Sequence, residues 1–94
     1  MADDGPFHYR LEVLEQLLRH GVHPTDHTRP ELVHEFVSDL YRYEIRALRD
    51  RLLAKEFPKR DYFGRVVDLR NRYRVIAMRP RDWVRQMSDN SHPR

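Results

Sequence analysis

The chain has 94 residues, 35% charged and 39% hydrophobic, with no cysteine and a net charge of +3. That length suits a single domain with a thin core, and the missing cysteines exclude disulfides, thiolate catalysis, cysteine-based zinc sites and iron–sulfur clusters. No apolar run approaches the ~18 residues of a membrane span, and the opening MADDGPFHYR is acidic where a secretory signal is basic and then apolar, so the expected setting is the cytoplasm.

The sign of charge is unevenly spread. Residues 1–40 hold three Arg against eight acids, a net of −5, whereas residues 41–94 hold fifteen Lys and Arg against seven acids, a net of +8. Halves of opposite sign attract each other within a fold or between subunits, and the basic half attracts polyanions. Arg outnumbers Lys sixteen to two, so the cations are mostly planar forks suited to carboxylate and phosphate.

Residues 1–6, closing on Gly5-Pro6, read as a disordered lead-in. From 7 to 20, Phe7, Leu11, Leu14, Leu17 and Leu18 recur at spacings of three and four, the helical period. Gly21 stands where a left-handed C-terminal cap is wanted, with Val22 able to fold back on Leu17 or Leu18. Residues 21–27, with Pro24 among them, have the length of a helix–helix loop.

A second helix is predicted over 29–56. Thr28-Arg29-Pro30-Glu31 matches a capping box, although the residue before a proline avoids helical angles, which bears on Arg29. The apolar residues of this helix sweep more than half of its circumference, where an ordinary surface helix needs a stripe of ~100°. A helix of ~26 residues is ~39 Å long, against ~32 Å for the diameter of a compact chain of this size. It therefore calls for both flanking helices and a second subunit.

Pro58 suits the first turn of a third helix over 58–74, with Tyr62, Val66, Leu69 and Tyr73 as its stripe and Phe63 beside it. Gly64 lies off the stripe and weakens the helix by ~1 kcal/mol against Ala unless a backbone packs close. The run Val75-Ile76-Ala77-Met78 is a buried extended segment or a helical continuation. A short helix over 80–87 then carries Trp83, Val84 and Met87 as a clamp on one end, and 88–94 reads as disordered. The fold expected is all-α: one domain over 1–94, a small antiparallel helical bundle built on one long central helix, with a short C-terminal helix.

Three groups of residues could carry chemistry. Glu44 projects into the apolar arc of the long helix, with Arg51 seven residues on along the same line. A buried carboxylate needs a cation or donor, so a buried polar network of Glu44 with Arg51 or Arg70, or one linked through a tyrosine, is expected to fix register. Glu31-x-x-His34 has the spacing of carboxylate-bridged di-metal bundles, which need two such motifs and two further Glu. Glu31 and His34 are thus the metal candidates, with His20, His23 and His27 as a looser cluster, but no metal or other cofactor is expected. Arg42, Arg46 and Arg49 form an outward stripe at i, i+4 and i+7, joined by Arg60, Arg65 and Arg72 further on, while Asp39, Asp50, Asp61 and Asp68 are interleaved. The tyrosines and Trp83 are expected on the core side, leaving no stacking platform for single strands.

Together these features predict a non-enzymatic helical module that forms a homodimer and presents an Arg-rich face to an acidic partner. A small nucleic-acid-binding protein contacting phosphates through Arg42, Arg46, Arg49 and the helix-three arginines is the alternative. An enzyme or metal protein using Glu44, or Glu31 with His34, is the third reading.

Overall fold

The computed structural model describes residues 6–85, and the expectations for 1–5 and 86–94 lie outside that range. The all-α class holds. The described residues form α1 (Leu11–Arg19), α2 (Pro30–Leu53) and α3 (Tyr62–Arg72), with short 3-10 turns at Lys59–Asp61, Arg74–Ala77 and Pro80–Trp83 and no strand. No helix among them is long and apolar enough to cross a membrane.

α1 begins four residues later than its periodicity predicts. Residues 7–10 are instead extended and tied to the far end of the described chain. Arg10 N–H donates to the Trp83 carbonyl at 2.8 Å, Arg85 N–H donates to the His8 carbonyl at 2.8 Å, and Tyr9 opposes Val84 in an isolated antiparallel bridge. Phe7 N–H donates to the Asp26 carbonyl at 2.7 Å, and the Tyr9 hydroxyl donates to the Thr28 carbonyl at 2.6 Å. The backbone groups a first helical turn would have used are taken by these distant partners. The other end matches expectation: Gly21 adopts φ +75°, and Gly21 and Val22 N–H bond to the carbonyls of Leu18 and Leu17, the paired closure of a Schellman cap.

α2 has 24 residues and is ~36 Å long. It starts at Pro30, and the predicted capping box does not form. Arg29 stays extended at ψ 129° because the following proline bars it from helical angles, so Arg29 becomes the cap and Thr28 falls outside the helix. The Thr28 hydroxyl accepts from the Thr25 amide at 2.9 Å and closes the preceding turn instead. α2 ends at Leu53, before the predicted 56. Lys55 takes φ 63°, and Lys55 and Glu56 N–H bond to the carbonyls of Leu52 and Arg51, a second Schellman closure. Such a closure normally carries an apolar contact across the cap, and here an ion pair between Arg51 Nε and Glu56 Oε1 at 3.0 Å takes its place.

The chain then folds α3 back along the C-terminal half of α2. The predicted helix 58–74 is divided into the Lys59–Asp61 turn and α3. Leu69 and Tyr73 of the expected stripe are buried and Tyr62 and Val66 half-buried, but Phe63 points to solvent at 73% exposure. Gly64 has nothing near the position of an added Cβ, so no close packing accounts for it. Val75-Ile76-Ala77 form a 3-10 turn with Val75 buried, and the described part of the predicted helix 80–87 holds a single 3-10 turn, Pro80–Trp83, followed by extended Val84.

Trp83 is fully buried at the centre of the main core, among Val13 and Leu17 of α1, Val33 and Val37 of α2, Leu69, Tyr73 and Val75. Its indole N–H donates to the Val75 carbonyl at 3.1 Å, which satisfies the polar edge of a ring buried for its area. The whole measures 57 × 26 × 17 Å. Leu32, Phe36 and Tyr43 of α2 are each more than half exposed, so one face of α2 is left uncovered.

Candidate functional site

Two surfaces of α2 gather the residues singled out above. The first is a cleft of about 510 Å³ between α2 and α3, with Glu44, Arg51, Arg65, Asp68 and Arg72 around its rim. The Tyr73 hydroxyl donates to Glu44 Oε2, and Arg72 Nη2 lies 4.0 Å from Oε1. The Tyr73 ring is held between His20, stacked at 4.1 Å, and Tyr41 at 5.3 Å. Burial pushes the Tyr73 hydroxyl well above the ordinary tyrosine value, and the hydrogen bond and charge of Glu44 push it the same way, against a smaller opposing effect of Arg72. It is held as a proton donor to the carboxylate.

Of the expected networks the tyrosine-linked one is present, but it is not a buried one. Glu44 is not enclosed: its side chain is 42% exposed, and no charged side chain among the described residues is buried. Its partner is the tyrosine of the α3 stripe, in place of Arg70 or Arg51. Arg70, one residue beyond buried Leu69, is turned ~100° off the contact face and lines a separate hollow beside Tyr41 and Ala77. Arg51 is drawn to Glu56 by the closure at Lys55, and its guanidinium lies 5.5 Å over the Phe57 ring. Arg65 covers the same ring at 4.2 Å.

The histidines act as ties to backbone. His34 Nε2 lies 2.9 Å from the Ile76 carbonyl, with its ring beside Trp83, and His20 Nε2 lies 2.8 Å from the Arg72 carbonyl. A carbonyl only accepts, so each Nε2 carries the proton and is unavailable to a metal. Glu31 faces Arg29 at 3.9 Å, and His27 sits 3.6 Å from Asp26 in the exposed loop. No group of three His, Asp or Glu side chains converges among the described residues.

The second surface is the uncovered face of α2. Leu32, Phe36 and Tyr43 are 61%, 54% and 68% exposed and project within ~40° of one another. Tyr43 thus departs from the expectation that the tyrosines face the core. Arg42, Arg46 and Arg49 run along one flank of this ridge. The remaining candidates lie elsewhere: Arg65 and Arg72 on the cleft, and Arg60 exposed in the Lys59–Asp61 turn. The six arginines do not make one continuous face, because the cleft and the Arg42 flank lie on nearly opposite sides of α2.

The exposed ridge was not legible beforehand. An apolar arc shows which residues want cover and not which receive it. The tyrosine link to Glu44 did have a signal, since Tyr73 ends the only stripe α3 offers to α2. Compared with models of known families, with curated proteins and with solved structures, the chain matches none.

Proposed function

We propose that this chain is a non-enzymatic, cytoplasmic interaction module in which α2 forms the axis of a small antiparallel helical bundle completed by self-association, with Arg42, Arg46 and Arg49 set against an acidic partner. One observation carries the reading: the ridge of Leu32, Phe36 and Tyr43 is more than half exposed on a helix whose opposite side is packed. Large apolar side chains aligned on one face, with charges beside them, are characteristic of a protein–protein contact. Support also comes from the polar groups that chemistry would need, because Glu44, Tyr73, His20 and His34 are engaged with one another or with backbone carbonyls.

Sedimentation at high micromolar concentration tests this directly. A dimer is expected, and Phe36→Ser with Tyr43→Ser should turn it into a folded monomer. A wild-type chain that sediments as a monomer at that concentration overturns the reading. Phosphate binding through the same arginines has weaker support, since Glu31, Glu35 and Asp39 share their flank and repel a polyanion. A gel shift of duplex or single strands at low salt, lost as salt rises, would favour it instead.

A further inference from the structure

We infer that the acidic partner of Arg42, Arg46 and Arg49 is the row Glu31, Glu35 and Asp39 on a second copy of this chain, with the two α2 helices antiparallel about an axis near Leu40. The inference rests on the self-association proposed above and adds its geometry. At 100° per residue the three acids and the three arginines fall within ~80° of arc on one flank of the exposed ridge. The acids occupy the first half of α2 and the arginines the second. All six are exposed.

In an antiparallel pair about a two-fold axis, a flank meets the same flank of its partner run in reverse. An axis near Leu40 sets Glu35 against Arg46 of the second copy, Glu31 against its Arg49 and Asp39 against its Arg42. Each pair then occurs twice. The same axis lays Phe36 against Tyr43 of the second copy and Leu32 against its Ala47, so the apolar ridge closes on itself. In a parallel pair about a two-fold this flank would face the opposite flank of the partner's ridge, so the acids and the arginines would not meet.

Pairing within the chain does not use these charges up. Asp39 holds Arg42 of its own helix and Glu31 faces Arg29, but among the described residues Glu35, Arg46 and Arg49 have no ion-pair partner. Asp50, four residues after Arg46, does not pair with it either. The Glu35–Arg46 contact therefore carries the orientation. A strip ~36 Å long and ~10 Å wide is smaller than the ~800 Å² per partner of a standard interface, so a weak dimer is expected.

The chain has no cysteine, so single cysteines report orientation cleanly. Glu35→Cys and Arg46→Cys variants, mixed in equal amounts and treated with a short bismaleimide, should link mainly to each other; linkage of each variant mainly to itself would overturn the antiparallel arrangement. Reversing the arginines (Arg42→Glu, Arg46→Glu, Arg49→Glu) should weaken dimerisation at least about tenfold, and mixing with the reversed acids (Glu31→Lys, Glu35→Lys, Asp39→Lys) should restore it. Circular dichroism confirms that each variant folds. A dimer that survives both reversals unchanged overturns the charge pairing while leaving self-association intact. A wild-type chain that stays monomeric removes both.

Discussion

The two halves of α2 are packed in different ways. The first half, with Val33 and Val37, lies in the core that Trp83 fills, where α1, the end of α3 and both C-terminal 3-10 turns converge. The second half is covered mainly by α3 and by Phe57 of the connecting turn. Its buried anchors are Leu48 and Phe57, and Tyr43, Leu53 and Phe63 remain exposed. Contacts in the first region join residues far apart in the chain, such as Arg10 with Trp83 and His34 with Ile76. Those in the second are confined to one helical hairpin. The first region should thus be the cooperative unit, and the second an arm that opens locally at lower cost.

Removing Trp83 should have the largest effect on this contrast. Trp83→Ala leaves a large cavity and removes the indole bond to the Val75 carbonyl, and should cost about 3–5 kcal/mol, read as a lower denaturant midpoint for the whole chain. Phe57→Ala removes the ring that Arg51 and Arg65 cover and should cost about 3 kcal/mol, the low end for a buried phenylalanine. Its signature is faster amide exchange in α3 and the end of α2, with the Trp83 region still protected. Uniform loss of protection in both variants would erase the distinction between the regions.

Alkali should release the packed region specifically. Burial, and then the charge of Glu31, push the Tyr9 hydroxyl up to about 12 from 10.0, and Tyr73 is raised further by burial and Glu44. The folded chain therefore binds these protons more tightly than the unfolded chain. Their stabilisation is intact below pH 10 and is lost as pH climbs toward and beyond about 12. Tyrosinate absorbance rising together with the change in Trp83 fluorescence checks this.

The smallest effects belong to the arm and should be stabilising. Gly64→Ala meets open space in α3 and should add about 0.5–1 kcal/mol. Lys55→Gly relieves a non-glycine residue at φ 63° and should add up to about 1 kcal/mol. Urea midpoints would register either gain, and a loss at Gly64 would mean that α3 packs more closely there than the open space indicates.

The chain itself determined what local chemistry controls. The helical periods placed α1, α2 and α3 to within a few residues, Gly21 ended α1 through its left-handed angle, and the steric demand of Pro30 on Arg29 moved the start of α2. Glu44 could be named as needing a donor because a carboxylate beside apolar neighbours must find one. Only the tertiary structure decided that the donor is Tyr73, that Arg51 turns to Glu56, and that residues 7–10 pair with 83–85. Those outcomes depend on which distant segments meet, and a helical wheel carries no such information. For the same reason the wheel could show that α2 has too much apolar surface for one neighbour, while the packed arrangement determined which strip, Leu32, Phe36 and Tyr43, was left uncovered.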